Sequence, residues 1–257
     1  MLVIRKQLKS IVPKQYVSVV LYRKMKKAIY LVTMLFITNY FYAQSGQAEY
    51  VIKMNALSYP NAGKYEERIE KMKEYANNQK FELIFNKSQS SFKYIESLNS
   101  DPNFSETENK IARAAFTASS DFYYDNLRNI EISQGRDKVL IEKKNAKVAW
   151  IISTDSKMIG DYLCYKATYQ EPYVSRSSGQ KNYTNVVAWF APMLPYGYGP
   201  VQFYGLPGLI LELQYKNTTY FATNIKVSNA SRTIYFPRGK TVSKEEYDKK
   251  LREQMGM

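Results

Sequence analysis

The sequence predicts a mainly β (α+β) fold: a curved antiparallel sheet, forming a barrel or half-barrel, with two or three peripheral helices. Three observations carry this. From Asp121 onward, short runs of alternating apolar and polar residues recur at close intervals with turn signals between them. Tyrosine is abundant, 24 of 257 residues, and suits pleated, half-buried surfaces. Helical periodicity is confined to three stretches, 64–77, near 107–118 and 243–254.

Taken in order, Glu49 to Ala56 reads as a strand, with Tyr50, Ile52 and Met54 on its apolar face. Lys64 to Asn77 places Tyr65, Ile69, Met72 and Tyr75 at helical spacing between charges. Phe81, Leu83 and Phe85 alternate in a strand, with Ser90 to Leu98 as its partner. Thr107 to Ala118 is helical. The later strands are Phe122–Asp125, Asn129–Ser133, Val139–Lys143, Val148–Ser153, Tyr162–Tyr169, Val186–Phe190, Leu209–Tyr215 and Tyr220–Val227. Ser243-Lys244-Glu245-Glu246 is a capping box, with Ser243 at the N-cap of a charged C-terminal helix.

The N-terminal part reads differently. Met25-Lys26-Lys27 is a short basic segment, Ala28 to Tyr42 an apolar run, and Ala43 and Ser45 are small residues at a cleavage point. This is the three-part pattern of a secretory signal peptide, too short and interrupted for a membrane span. Residues 1–45 are therefore expected to be an N-terminal extension and signal peptide, with Met25 the true start, and 46–257 a single exported domain. Cleavage is expected after Ser45 or after Ala43, which leaves Gly46 in a free N-terminus.

The formal charge of +14 shrinks accordingly. Residues 1–45 hold eight lysines and arginines and no acid, so 29 basic and 23 acidic groups remain, a net +6. That is an ordinary solubility charge, and no nucleic-acid partner is expected. The chain has no histidine and one cysteine, Cys164. Ser-His-Asp triads, Cys-His pairs, histidine zinc sites and intrachain disulfides are excluded. No cofactor, no metal and no enzymatic activity are expected.

The most pointed local signal is Gly199-Pro200 followed by Gly205-Leu206-Pro207-Gly208-Leu209-Ile210. Pro207-Gly208 fits the centre of a type II turn, with positive φ at Gly208. Leu209, Leu211, Leu213 and Tyr215 would then share one strand face, and Ile210, Glu212 and Gln214 the other. Gly199, Pro200, Gly205, Pro207 and Gly208 are candidate ligand contacts, because glycines permit close backbone approach. Glu212, within an apolar strand, is a further candidate, facing outward or buried as an acid. Cys164 lies mid-strand as a small hydrophobe, with Lys166 on its face as the nearest cation. Asp121 and Asp125 form a poor acidic pair for a metal.

These residues resemble a known family. Gly205–Ile210 spells the motif of the GLPGLI family of exported bacterial proteins. Ala149-Trp150-Ile151-Ile152, the Cys164/Lys166/Ala167 segment, Ala188-Trp189-Phe190 and Gly199-Pro200 are similar to its other motifs, in the same order. Asp161 departs from the family's Gly-Tyr step. The resemblance covers 148–215 and implies export and fold rather than chemistry. The expected function is a non-enzymatic protein of the periplasm or cell surface of a Gram-negative bacterium that binds an apolar or lipid-like ligand. The alternative is an accessory factor for a cell-envelope protein.

Overall fold

In the computed structural model, the described residues are Lys26 and 45–254, without 56–62, 97–103, 136, 145–147 and 176–178. Apart from Lys26 and Ser45, the signal-peptide segment lies outside the described residues. The chain divides between Tyr42 and Ala43, and the second unit carries every strand described here.

Twelve strands form one sheet: β1 Ser45–Met54, β2 Lys80–Phe85, β3 Gln89–Tyr94, β4 Asp121–Asp125, β5 Ile130–Gln134, β6 Leu140–Lys144, β7 Ile151–Ile159, β8 Tyr162–Val174, β9 Lys181–Ala191, β10 Leu209–Tyr215, β11 Thr218–Ser228 and β12 Thr241–Ser243. Their spatial order is β12-β6-β5-β4-β3-β2-β1-β11-β10-β9-β8-β7. Every pairing is antiparallel except that of β12 with β6, so the sheet is mixed. β12 has no counterpart in the sequence reading; its three residues are too few for an alternation to register. The sheet is open, because β7 and β12 each have one neighbour, and a closed barrel is not formed.

Its curvature follows from one residue. β5 and β7 stand nine steps apart in the sheet, about 43 Å if it were flat. Yet Tyr204 joins them. Its carbonyl accepts from Trp150 Nε1, just before β7, at 2.9 Å, and its hydroxyl donates to Glu131 Oε2 on β5 at 3.0 Å. A tyrosine side chain is far shorter than that span, so the sheet must curl into a trough around it.

Rings fill the trough. Tyr50, Phe81, Phe92 and Tyr220 are fully buried and meet edge to face or stacked, with Phe81 and Phe92 centroids 5.2 Å apart. Among the described residues of the second unit, three helices lie outside the sheet: α1 Glu66–Asn77, entered through a 3-10 turn at Gly63–Tyr65, α2 Glu106–Phe116 and α3 Lys244–Gln254. α1 and α2 pack together, tied by buried Gln79. Its amide donates to Asn109 Oδ1 at 2.7 Å, and its carbonyl accepts from Thr117 at 2.7 Å. The capping box of α3 is formed in both directions, Glu246 N to Ser243 Oγ and Ser243 N to Glu246 Oε2, each 3.1 Å.

Two expectations are corrected. Gly46 is not in a free N-terminus. It pairs with Val227 and Phe85 within β1, and a β-carbon there would meet the Phe85 ring at 2.6 Å. Even Ser45 is buried, its hydroxyl donating to Ala230 O at 2.7 Å. The strand begins four residues before its alternation because Ser45 and Gly46 are small and carry no apolar signal. The faces of β10 are also not as period two dictates. The register against β9 shifts between Ile210 and Glu212, so Leu211 sits in a bulge. Ile210, opposite Phe190, then shares the face of Leu213 and Tyr215, while Leu209 shares that of Glu212. The Tyr50 hydroxyl donates to the Ile210 carbonyl at 2.6 Å, satisfying a backbone group beside the bulge.

Candidate functional site

Residues 192–208, between β9 and β10, fold over one end of the trough. Tyr196, Tyr198, Phe203, Tyr204 and Leu206 are buried there. Backbone bonds lock the segment: Leu194 N to Ala191 O, Gly205 N to Gly197 O, Leu209 N to Leu194 O and Ile210 N to Tyr198 O, at 2.8 to 3.1 Å. The Phe85 ring lies 4.6 Å from that of Tyr196, which joins the segment to β2.

The candidate glycines divide by role. Gly208 does not have positive φ, and the type II turn expected there is not formed; Gly205, at φ +91, is the left-handed residue. Gly208 is required for another reason: a β-carbon would lie 2.3 Å from the Ala191 carbonyl oxygen. Close packing, not turn chemistry, selects glycine at that point. Gly199 and Pro200 are buried within the segment, whereas Gly205 and Pro207 are exposed. Of the five, Gly205 lines a cleft.

That cleft, about 280 Å³, opens where three loops converge. Pro195, Tyr196, Gly197, Tyr198, Gly205 and Leu206 come from the long segment, Lys87 from the β2–β3 turn, and Tyr124 and Asn126 from the end of β4 and its turn. Asn126 N donates to Ser88 O at 2.8 Å, and Asn86 Oδ1 accepts from Ser88 N and Gln89 N, so the two turns brace each other. Asp125 is fixed below them. Burial works against its carboxylate, but bonds from Gln89 Nε2, Arg128 N and Arg128 Nε, each 2.9 Å, outweigh that and hold it below the usual carboxylate range.

Tyr124 is the wall between the cleft and a small inner cavity of about 10 Å³, room for about one water. Its ring stacks on Tyr204 with centroids 3.7 Å apart. Behind it lies Glu131, 8% exposed. Burial raises its carboxyl above the usual value, Lys143, the Tyr204 hydrogen bond and Lys244 act the other way, and Glu171 adds repulsion. Burial, then Glu131, also push the Tyr204 phenol upward, so it stays a donor.

Glu212 does not line the cleft. It faces away from Leu213, its carboxylate 2.6 Å from Lys157 Nζ, which also stands 4.3 Å over the Trp189 ring. Cys164 is buried beside this pair; burial pushes its thiol up to about 11, and Lys157 rather than Lys166 is the cation that counters it. Lys166 is held by Asp155 at 3.2 Å. Asp121 and Asp125 are each engaged by an arginine, Arg113 at 3.2 Å and Arg128 at 2.9 Å. Among the described residues no three metal-ligating side chains cluster.

Sequence reading did not single out Tyr124, Asn126, Glu131, Lys87, Tyr196 or Tyr198. Two signals were there to use: the Pro195-Tyr-Gly-Tyr-Gly-Pro run, and Glu131 as a lone acid between Ile130 and Ile132.

Residues 175–212 match a family model described as Protein of unknown function (Porph_ging). The match takes in β9, the whole 192–208 segment and the start of β10, and thus most of the cleft's lining. Among solved structures the chain is similar to PNGF-II in two space groups. In C2 the TM-score is 0.50 at 13% identity, over 81% of this chain and 32% of that one. In P21 the values are 0.50 and 13%, over 80% and 33%. The chain spans about a third of PNGF-II, and at this identity the likeness is one of fold. Curated proteins give no match. No helix among the described residues is long and apolar enough to cross a membrane.

Proposed function

We propose that this chain is an exported, non-enzymatic binding protein of the GLPGLI type, which captures a small ligand with an apolar body in the cleft at the end of the trough. The observation that carries this reading is the convergence of three braced loops on a concave site lined by tyrosines, Pro195 and Leu206. The ligand sits at the end of the trough rather than along it, because the protein's own rings occupy the interior. Export is favoured by the basic–apolar–small pattern at 25–45. Cleavage after Ala43 is the better of the two positions, since it keeps the buried Ser45 in β1.

The test is mass spectrometry of protein recovered from its own host. Denaturation is expected to release a bound small molecule from wild type and not from Asn126→Trp, which fills the cleft from an exposed turn. Equal release from both would place the ligand elsewhere. A second reading, an accessory factor for an envelope protein, is favoured by the unpaired edge of β7, where Ile151, Ile152 and Met158 are exposed. A photo-crosslinker at Met158 that captures one envelope protein, while Asn126→Trp has no phenotype, would favour it.

A further inference from the structure

The lining of the cleft mixes apolar groups with polar ones. Tyr198 is 4% exposed and lines the cleft, yet its hydroxyl has no hydrogen-bond partner among the described residues. That hydroxyl is not among the buried side-chain atoms that lack a partner, so it opens onto the cleft, where a ligand acceptor can take its proton. The Tyr124 hydroxyl lies 3.3 Å from Asn129 Oδ1 and 3.4 Å from Asn126 Oδ1, and the Asn126 carboxamide nitrogen, on a residue that lines the cleft, has no acceptor among the described residues. Lys87, exposed at the tip of the β2–β3 turn, lines the same cleft and forms no ion pair among the described residues. The nearby negative charge, Asp125, is already matched by Arg128 and Gln89. Three donors, one of them cationic, thus face a space whose remaining wall is Pro195, Leu206 and ring carbon.

We propose that Lys87, Asn126 and Tyr198 form an anion-recognising end of this cleft, and that its ligand carries a phosphate or carboxylate group on a short apolar body. This rests on the reading of the cleft as the binding site, and narrows it. An oxyanion supplies the acceptors that the three donors lack, and hydrogen bonds to a charged group are stronger than neutral ones. The apolar body accounts for the rest of a volume of about 280 Å³, which a bare oxyanion would leave largely empty.

The test is calorimetric titration of the full exported chain with three probes, hexyl phosphate, inorganic phosphate and hexanol, on wild type, Tyr198→Phe and Lys87→Gln. Thermal melts of the variants come first; Lys87 is exposed, so Lys87→Gln keeps the test usable if Tyr198→Phe fails to fold. Hexyl phosphate is expected to bind, inorganic phosphate more weakly and hexanol least. Tyr198→Phe should weaken hexyl phosphate roughly tenfold. Lys87→Gln should weaken it several-fold, and that effect should shrink at high salt. Inorganic phosphate binding as tightly as hexyl phosphate, with the same sensitivity to both variants, would identify a free anion as the ligand and overturn the amphiphile. Hexanol binding as well as hexyl phosphate, with both variants silent, would overturn the anion site and leave the cleft reading standing. No binding of any probe to wild type would overturn both.

Discussion

Replacing Gly208 with alanine adds one methyl group where the structure has no room for it. The new β-carbon would lie 2.3 Å from the Ala191 carbonyl oxygen, 2.6 Å from its carbon and 2.9 Å from Pro192 N. All three are backbone atoms, so no side chain can swing away, and the strand end must part from the loop by about 1 Å to restore van der Waals contact. Overpacking of this kind costs about 1–3 kcal/mol. The parting also strains Leu209 N to Leu194 O and Ile210 N to Tyr198 O, bonds of 2.9 and 3.0 Å worth about 1 kcal/mol each. Gly208→Ala is thus expected to cost about 3–5 kcal/mol. Gly205→Ala is the control. Its β-carbon meets nothing within 4 Å, and the penalty is that of a left-handed φ, about 1–2 kcal/mol. Paired urea titrations analysed with a common slope should place the Gly208→Ala midpoint below that of Gly205→Ala, and both below wild type. A Gly208→Ala midpoint at or above that of Gly205→Ala would refute the close-approach reasoning and return the motif to turn chemistry.

Three further outcomes follow from particular contacts. Cys164, its thiol raised to about 11, should label slowly with a thiol reagent at pH 8 and fast in urea; rapid native labelling would contradict its burial. Burial raises the Glu131 carboxyl above the ordinary 4.5, so folding favours its protonated form. Its contribution to stability is full below that value and lost as pH rises through the folded one. Glu131→Gln, which still accepts from Tyr204, should gain in melting temperature relative to wild type as pH rises above the ordinary carboxyl value, and a constant difference across pH would refute this. Ser243→Ala removes the cap of α3 and should cost about 1 kcal/mol, read as faster hydrogen exchange confined to 241–254.

Much of the fold was legible because burial on one face leaves a period in the chain. Tyr50, Ile52 and Met54 marked β1, and Leu209 to Tyr215 marked β10 to the residue. What escaped was whatever breaks the period. The bulge at Leu211 inverts Leu209 and Ile210 without altering composition, since all three residues are apolar and buried. Ser45 and Gly46 belong to a strand but are too small to look like one. The candidate site was legible only in its glycines. Gly205, a candidate ligand contact, lines the cleft, whereas Gly199 and Gly208 serve packing. Lys87 and Asn126 could not have been paired with them from sequence, because more than 60 residues separate them from Gly205 and only the curl of the sheet brings their turns together.

The most direct test of the central proposal, a ligand held where three loops meet, is a two-dimensional NMR titration of the exported chain with hexyl phosphate. Amide shifts are expected to concentrate at Lys87, Asn126, Gly197 and Gly205, to saturate together, and to vanish in Asn126→Trp. Saturable shifts centred on β7 to β9, with those four amides unmoved, would contradict it.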